Sequence, residues 1–429
     1  MAKPLSIELL GGGTVGAAVA RLLVEQADDF TARIGSQVEL KGVAVRDASK
    51  KRAGIDPKLI TTDAASLAAS GADIVIELIG GIEPAKTLIE TAIANGSSVV
   101  TANKALLAAH GAHLHKLAEE KGVDLFYEAA VAGAIPLIRP LRESLAGDKV
   151  RRVLGIVNGT TNFILSKMYA EGADYAAVLA EAQALGYAES DPTADVEGFD
   201  SAAKAAILAG IAFHTNVTSE DVYREGISKV TSGDIAAAKS MGYVIKLLAI
   251  AELSDDDKGV IVRVHPAMVP LSHPLASVRD AFNAVFVEAE AAGQMMFYGR
   301  GAGGDPTASS VLGDVVAAAR NRLAGSLAPA QSIYADLELR AIGDAKTSYY
   351  LNLRVADVPG VLAAISGEFA KHDVSIQAVR QDGIGEDADL VIRTHRATDA
   401  KLSETVKGLK SLAAVKEVVG VMRVEGGAL

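Results

Sequence analysis

The sequence predicts an α/β protein in three parts: a doubly wound parallel sheet, a mixed α+β segment, and a small terminal module with a ferredoxin-like order of elements. In the first third of the chain, short β-rich runs alternate with helical runs. This alternation is typical of a parallel sheet whose strands are joined by right-handed helical crossovers. At the other end, the order strand, helix, strand, strand, helix, strand favours the ferredoxin-like arrangement.

The first part begins with the strand-like run LSIELL, followed by the helical run TVGAAVARLLVEQ. We predict three more strands from the runs VELKGVAVR, ADIVIELIG and SSVVTANK, and one more helix from EPAKTLIETAIANG. We assign residues 1–134 to this first domain and expect residues 300–323 to complete it.

The pattern changes near Tyr127, and we assign residues 135–299 to a middle domain. A helix is predicted around residues 135–145, and strands are predicted from RRVLGIVNG, VIVRVHPAMVP and AVFVEAE. The small residues of AGSLAPAQS indicate a hinge, so residues 324–346 are interpreted as a linker.

Residues 347–429 form the predicted terminal module. Its six elements are assigned, in order, to TSYYLNLRVAD, VPGVLAAISGEFAKH, SIQAVRQDG, DADLVIRTHRA, DAKLSETVKGLKSL and VKEVVGVMRV.

Composition narrows the class of protein. The net charge of -11 disfavours binding to nucleic acid or anionic lipid. The absence of cysteine removes disulfides, thiolate zinc sites and a cysteine nucleophile. Since no apolar run reaches the ~18 residues of a membrane-spanning helix, we expect a cytoplasmic protein without a membrane or nucleic-acid partner.

A glycine motif lies between the first predicted strand and the first predicted helix. Gly11, Gly13 and Gly16 have the spacing G-x-G-x-x-G. The first glycine permits a tight turn, the second lets the backbone approach a pyrophosphate, and the third lets the helix pack on the strand. We therefore predict a Rossmann-type dinucleotide site that includes Thr14 and Val15, with a ligand-free glycine turn as the alternative.

The end of the second strand bears on the choice of dinucleotide. Arg46, with Lys50 or Lys51 close behind it, favours the 2′-phosphate of NADP, whereas Asp47 leaves NAD open. The alternative interpretation is a solvated run of charges after a strand.

Several longer motifs resemble homoserine dehydrogenase. They are GGGTVG, ELIGG (77–81), TANK (101–104), YEAAVAGAIP (127–136), GIVNGTTNFIL (155–165), GYAESDPTADVEGFDSAAK (186–204) and YGRGAGGDPTAS (298–309). The resemblance covers nearly the whole chain in the right order. DVPGVL (357–362) resembles an ACT domain, the amino-acid-sensing module of many members. With no aspartate kinase portion before the glycine motif, we expect the monofunctional form.

The resemblance implies an NAD(P)-dependent interconversion of L-homoserine and L-aspartate 4-semialdehyde, in threonine, methionine and isoleucine biosynthesis. It makes Lys204 the acid/base, and the i, i+4 spacing places Lys204 on the same helical face as Asp200. A solvated lysine paired with Asp200 is the alternative. Lys104 of TANK follows a strand end and is expected to bind the nicotinamide or polarise the substrate oxygen, unless it is structural.

The substrate carries an ammonium, a carboxylate and a reacting oxygen, and each needs partners. Glu189, Asp195 and Asp200 are the candidates for the ammonium and for orienting the oxygen or a water molecule. The resemblance implies that Glu189 and Asp200 contact homoserine. Thr160, in the NGTT turn, is expected to supply donors, and Asp195 is also a candidate catalytic residue.

The resemblance also implies a monovalent cation such as sodium, held by one carboxylate and three backbone carbonyls at Glu128, Val131, Gly133 and Ile135. Oxygen ligands suit a hard cation, and a simple tight turn is the alternative. Gly186 and the stretch from Gly301 to Gly303 are expected to make backbone contacts to the cofactor. Structural turns are the alternative for these glycines.

The terminal module is expected to sense an amino acid. Asp357, Pro359 and Gly360 lie between its first strand and first helix, where backbone amides can receive a carboxylate. We expect L-threonine as the effector and a homodimer or homotetramer, with a module that only mediates dimer contacts as the alternative. Two other functions are a dehydrogenase of another small amino or hydroxy acid, and a non-catalytic, nucleotide-responsive amino acid sensor.

Overall fold

The computed structural model describes residues 4–330, 333–384 and 387–427. Its strands are β1 (Leu5–Leu10), β2 (Val38–Ala44), β3 (Ile60–Thr61), β4 (Ile74–Glu77), β5 (Ser98–Thr101), β6 (Leu125–Phe126), β7 (Val150–Ile156), β8 (Tyr223–Arg224), β9 (Tyr243–Leu253), β10 (Gly259–Pro270), β11 (Phe282–Ala289), β12 (Gly293–Arg300), β13 (Glu338–Leu339), β14 (Lys346–Ala356), β15 (Ile376–Ile384), β16 (Asp387–Thr394), β17 (Ala397–Thr398) and β18 (Val415–Val424).

The helices are α1 (Thr14–Glu25), α2 (Ala27–Ile34), α3 (Ala64–Ala68), α4 (Ala85–Ala94), α5 (Lys104–Lys121), α6 (Gly159–Glu171), α7 (Tyr175–Ala184), α8 (Thr193–Val196), α9 (Phe199–Phe213), α10 (Ser232–Ser240), α11 (Gly304–Ala324), α12 (Val361–Lys371) and α13 (Asp399–Lys410). None of the helices in the described part of the chain is long and apolar enough to cross a membrane.

The chain divides into two compact units that interleave in sequence. The first unit contains Met1–Gly159, Ala203–Val222 and Phe282–Asp336, and the second contains Thr160–Ala202, Tyr223–Ala281 and Leu337–Leu429. Gln331 and Ser332, at the end of the predicted hinge, lie outside the described residues, as do the two ends of the chain.

The first unit contains the predicted doubly wound sheet. Its strand order is β3-β2-β1-β4-β5-β6, and every neighbouring pair is parallel. The prediction of a Rossmann-type sheet is therefore confirmed. Because the strand order reverses beside β1, the carboxyl ends of β1 and β4 form the edge where such sheets bind ligands.

The core of this sheet is closed by segments that are distant in sequence. Ile7 and Ile74 on the strands are fully buried, as are Val311 and Val315 on α11. The helix α11, which follows β12 in sequence, thus completes the core around β1, because burying the apolar surfaces of both the helix and the strands stabilises the fold. The same unit contains a three-stranded antiparallel ladder in which β11 pairs with β7 and β12.

The second unit is built around the long antiparallel hairpin β9–β10. A fully buried arginine on β10, Arg263, donates to Glu252 at 2.6 Å and to Glu425 at 3.0 Å. Strand β18 pairs in parallel with β10 at Ala267 and Met268. The end of the chain is therefore joined to the hairpin by both backbone and ionic contacts.

The terminal module has the predicted order of elements. Strand β14 pairs with β18 on one side and β16 on the other, and β15 pairs with the far side of β16, all antiparallel. Leu353, Leu390, Ile365 and Phe369 form part of its buried core with α12. The prediction of a ferredoxin-like module is confirmed.

One predicted helix is shorter than expected. Within residues 135–145, residues 138–139 are α-helical and Pro140–Ser144 form a π-helical turn. Pro136 precedes this segment, and proline is tolerated at a helix start because it has no backbone N–H. The N–H groups of the first turn, which have no intrahelical partners, donate to the buried carboxylate of Glu128.

Candidate dinucleotide and substrate site

The glycine turn between β1 and α1 has the geometry of a phosphate cradle. A Cβ atom at Gly11 would lie 2.6 Å from the Leu78 carbonyl oxygen, and one at Gly16 would lie 1.9 Å from the Gly11 carbonyl oxygen. Both positions thus require glycine for packing. A Cβ atom at Gly13 would meet no protein atom within 4 Å, so the open space there fits the close approach of a pyrophosphate.

The first turn of α1 is open to an anion. Gly13 is the N-cap of α1, and within the described residues no side chain caps that turn and no acidic residue lies in it. The N–H groups at the start of a helix are donors without intrahelical partners. Thr14 and Val15 begin the helix, so their N–H groups fit the predicted role in binding phosphate.

In the loop after β2, one arginine holds the loop in place and the other basic residues are exposed to solvent. Arg52 donates through Nε to the Gly12 carbonyl at 3.0 Å and through Nη1 to the Asp47 carbonyl at 2.9 Å. Arg52 therefore ties this loop to the glycine turn. The exposed basic residues of the loop are Arg46, Lys50 and Lys51.

Besides Arg52, a buried carboxylate organises the loops at this edge of the sheet, and sequence analysis did not assign it this role. Glu77, at the end of β4, is fully buried and accepts from Ile79 N at 2.7 Å, Gly80 N at 3.1 Å and Thr101 Oγ1 at 2.6 Å. It joins the loops after β4 and β5, and the signal was a carboxylate at the end of an apolar strand. Lys104 is the first residue of α5 beside these loops.

The candidate acid/base is buried. Asp200 and Lys204 lie one turn apart on α9, and they are 9% and 7% exposed. Lys204 Nζ donates to the Val157 carbonyl, just beyond β7, at 2.6 Å. Lys204 is therefore not a solvated helical lysine, since its ammonium is withdrawn from water and directed at a strand end.

The acidic stretch before α9 presents carboxylates at different depths. Glu189 is exposed, Asp195 on α8 is partly buried, and Asp200 is buried. Thr160 Oγ1 donates to the Tyr187 carbonyl at 2.6 Å. The hydroxyl proton is thus used to hold the stretch, so the donors that the NGTT turn can offer a carboxylate are N–H groups in the first turn of α6.

Lys246 was also missed by sequence analysis. It lies on β9, is 2% exposed, and donates through Nζ to Asn162 Oδ1 at 2.8 Å and to the Val278 carbonyl at 2.5 Å. Burial lowers the pKa of Lys246 to about 7. Asn162 donates in turn to the Asp280 carbonyl at 2.9 Å. The signal was a single lysine in the run YVIKLLAIAEL, in which Glu252 near the end is the only other charged residue.

The carboxylate predicted to bind a cation is surrounded by donors. Glu128 Oε1 accepts from Leu137 N at 2.5 Å and Ile138 N at 2.7 Å, and Oε2 accepts from Arg139 N at 3.0 Å and Nε at 3.4 Å. The Glu128 N–H donates to Asp314 at 2.8 Å. Burial raises the pKa of Asp314 to about 8. These contacts occupy the lone-pair positions of the Glu128 carboxylate.

The loop with the three predicted carbonyl ligands packs against the glycine turn after β12. Gly133 has φ +55°, and a Cβ atom there would lie 2.4 Å from the Gly301 carbonyl oxygen. Ala134 N donates to the Arg300 carbonyl at 3.1 Å. The structure therefore brings Gly133 and Ala134, within the stretch that carries the three predicted carbonyl ligands, to the loop that carries Gly301. Among the described residues, no cluster of three or more histidine, aspartate or glutamate side chains could hold a metal ion.

The other predicted cofactor glycines lie in turns at helix ends. Gly303 has φ +130° and is the N-cap of α11, and Gly186 has φ +77° just after α7. A Cβ atom at Gly301 would lie 2.0 Å from Asn283 Nδ2. Packing alone thus accounts for glycine at position 301, and φ accounts for it at the other two.

The predicted effector residues form the turn between β14 and α12. Gly360 is the N-cap of α12 and has φ +92°. Asp357 Oδ1 accepts a hydrogen bond from Gln381 Nε2 at 3.0 Å, and Pro359 lies between Asp357 and Gly360 in the turn. The turn leads directly into the first N–H groups of the helix.

Comparison with known proteins gives the family. Residues 11–128 match the model "Homoserine dehydrogenase, NAD binding domain", residues 136–316 match "Homoserine dehydrogenase", and residues 349–414 match "ACT domain". The chain belongs to the homoserine dehydrogenase family. It is accordingly an oxidoreductase that acts on a CH–OH group.

Known homoserine dehydrogenases align with this chain over nearly its full length. The homoserine dehydrogenase of Mycobacterium tuberculosis is 56% identical over 100% of this chain and 99% of its own, and that of Corynebacterium glutamicum is 54% identical over 98% and 96%. The crystal structure of a homoserine dehydrogenase from Thiobacillus denitrificans has a TM-score of 0.91 at 40% identity, covering 99% of this chain and 98% of its own.

A hyperthermophilic archaeal homoserine dehydrogenase in complex with NADPH is also similar, with a TM-score of 0.63 at 27% identity. The alignment covers 74% of this chain and 98% of that one.

Proposed function

We propose that this chain interconverts L-homoserine and L-aspartate 4-semialdehyde, with Lys204 exchanging the proton of the reacting oxygen. The observation that supports this most directly is the burial of Lys204, whose Nζ is held by the Val157 carbonyl one helical turn after the buried Asp200. A bound nicotinamide would exchange a hydride with the substrate carbon.

The acidic stretch is proposed to bind the substrate ammonium. Glu189 and Asp200 contact the amino acid in this proposal, while Asp195 orients the reacting oxygen or a water molecule. Thr160 holds the stretch through its bond to the Tyr187 carbonyl, and its turn offers N–H groups to the substrate carboxylate. Lys104, beside the carboxyl end of β5, is proposed to bind the nicotinamide or polarise the oxygen.

NADP is proposed as the preferred cofactor. The exposed Arg46, Lys50 and Lys51 are free of the loop-holding role that Arg52 fills, and cations at this position suit a 2′-phosphate. The solved structure of a hyperthermophilic archaeal homoserine dehydrogenase similar to this chain is a complex with NADPH. Gly186, Gly301 and Gly303 are proposed to make backbone contacts to the cofactor.

A monovalent cation such as Na⁺ is proposed at the carbonyl oxygens of Val131, Gly133 and Ile135. In the structure the Glu128 carboxylate already accepts four N–H groups, so it organises this loop and fits a cation only if one of those bonds is exchanged. Turnover measured in sodium against tetramethylammonium buffers tests the proposal, and equal turnover in both refutes it.

The ACT module is proposed to bind L-threonine as a feedback inhibitor of threonine, methionine and isoleucine biosynthesis in the cytoplasm. The turn formed by Asp357, Pro359 and Gly360 offers N–H groups at the start of α12 to the effector carboxylate. Inhibition requires threonine to bind one state of a homodimer or homotetramer better than another. Wild type that is insensitive to added threonine would refute this regulation.

The experiment that tests the proposed activity follows absorbance at the reduced-nicotinamide band with homoserine and each cofactor. Lys204→Ala should lower kcat about 10²- to 10⁴-fold, the usual contribution of a positioned acid/base, while the Kd for NADP persists. Lys116→Ala, on the exposed surface of α5, is the matched control and should retain wild-type turnover. Unchanged kcat in the Lys204 variant would refute its role, and preference for malate or aspartate would refute the substrate.

A further inference from the structure

An arginine in the last strand of the ACT module links the module to the rest of the second unit. The side chain of Arg423, on β18, is 11% exposed. Its Nε donates to Asp399 Oδ1, at the start of α13, at 2.7 Å. Its Nη1 donates to Glu225 Oε1, just after β8, at 2.7 Å. One guanidinium thus joins a carboxylate of the module to a carboxylate outside it.

Glu225 belongs to a short stretch that we call the support segment, residues 223–227. Ile227 N donates to the Val196 carbonyl at 2.8 Å. Arg224 Nη1 donates to the Glu197 carbonyl at 2.5 Å. The support segment is therefore bonded directly to the backbone of the acidic stretch.

The bonded residues lie between two proposed substrate ligands. Val196 and Glu197 follow Asp195 immediately and precede Asp200 by a few positions. The Arg224 guanidinium also lies 3.4 Å from the ring centroid of Phe199, the residue next to Asp200. A displacement of the support segment would thus shift the positions of both Asp195 and Asp200.

The link between module and support segment is ionic. Arg423 lies near the rings of Tyr223 and Tyr349, with its guanidinium carbon 5.5 Å and 5.8 Å from their centroids. These residues line a cavity of about 780 Å³ together with Glu225 and Ser403. Because open space rather than an apolar core borders the contact, few other side chains could replace the ion pairs of Arg423.

We propose that Arg423 is a positioning residue, which transmits the state of the ACT module through Glu225 and the support segment to the segment that carries Asp195 and Asp200. This inference rests on the proposed role of those two carboxylates in binding homoserine. Its consequence is that the module acts on substrate affinity, while cofactor affinity, which depends on the glycine turn, is unaffected.

The test compares Arg423→Gln and Glu225→Gln with the matched control Lys416→Gln, on the same strand, where Lys416 pairs with Asp387 on the surface of the module. The two linked variants should each raise KM for homoserine about 2- to 30-fold, the range reported for residues that couple sites. The double variant should exceed neither single variant, because both break the same link. The Kd for NADP, and all constants of the Lys416 variant, should stay at wild-type values.

Unchanged KM in both linked variants, or fully additive effects in the double variant, would overturn the inference. Glu225→Gln replaces only one carboxylate oxygen by an amide nitrogen, so its KM for homoserine decides the test if Arg423→Gln fails to fold. Arg423→Lys, which keeps the positive charge, should restore part of the homoserine affinity that Arg423→Gln loses. Asp200→Asn separates the two proposals. If that variant also keeps wild-type KM, the proposed substrate site fails; if it raises KM and the linked variants do not, only the role of Arg423 fails.

Discussion

Replacing Lys246 by methionine should change how the stability of the protein depends on pH. Lys246 is 2% exposed on β9, and burial lowers its pKa from 10.5 to about 7, with the positive charge of Arg279 lowering it further and the negative charge of Asp280 opposing the shift. The unfolded chain returns this amine to water and to its ordinary pKa. Folded and unfolded states therefore bind different numbers of protons above pH 7.

The sign follows from this difference. Between about pH 7 and pH 10.5 the unfolded state holds a proton that the folded state has released, so the free energy of unfolding increases with pH. Well below pH 7 both states are protonated and the increase is absent. At 1.36 kcal/mol per pH unit, the contribution of Lys246 grows by about 3 kcal/mol from pH 6 to pH 9.

Thermal unfolding followed by circular dichroism at intervals from pH 6 to pH 9 measures this contribution as the difference between wild type and Lys246→Met. Methionine fills similar space without a titrating group, so other titrations cancel in the difference. For a cooperative unit of 150–250 residues, the wild-type Tm should gain about 6–12 °C relative to the variant over this range. A difference in Tm that is the same at every pH would refute the reasoning.

Two further predictions concern packing and charge. A methyl group at Gly16 would meet the Gly11 carbonyl, whereas one at Gly13 would meet open space. Gly16→Ala should therefore lower Tm, and Gly13→Ala should keep Tm but weaken NADP binding roughly 10-fold or more, about 1.4 kcal/mol. Equal effects of the two variants on Tm would contradict this prediction. Arg263→Met leaves two buried carboxylates without their cation and should cost about 3–5 kcal/mol of stability. The surface variant Arg354→Met should cost about 1 kcal/mol or less, and thermal unfolding of both checks the contrast.

The elements that sequence analysis predicted correctly are those with local signals. The parallel sheet followed from strands alternating with helices, and the ferredoxin-like arrangement of the terminal module followed from the order of its six elements, whereas its identity as an ACT domain came from the resemblance of DVPGVL. The glycine motif specified the turn through the spacing of its residues, and the structure shows that a Cβ atom at Gly11 or Gly16 would meet backbone atoms there. Local patterns sufficed because each of these features is signalled by the order or spacing of residues within short segments, although the strands themselves pair over long distances in sequence.

What sequence analysis missed depends on partners that are distant in the chain. The partners of Lys246 include Asn162, which is 84 positions away, and Glu77 accepts from Thr101, which is 24 positions away. The helix predicted around residues 135–145 is present in shorter form, and the sequence did not reveal that the carboxylate of Glu128 accepts the N–H groups of its first turn. No periodicity within a segment reports such bonds.

The attachment of the ACT module determines how its regulatory role should be tested. Deleting the module would remove Glu425, one of two carboxylates that neutralise the fully buried Arg263, and would uncover the side of β10 that pairs with β18. Loss of threonine sensitivity in a deleted protein would then report damage to the hairpin as much as loss of a sensor. Asp357→Ala, in the exposed turn before α12, leaves these contacts in place. If threonine inhibits wild type and this variant equally, the effector binds away from that turn, whereas a selective loss of inhibition with unchanged KM for homoserine would locate the effector there.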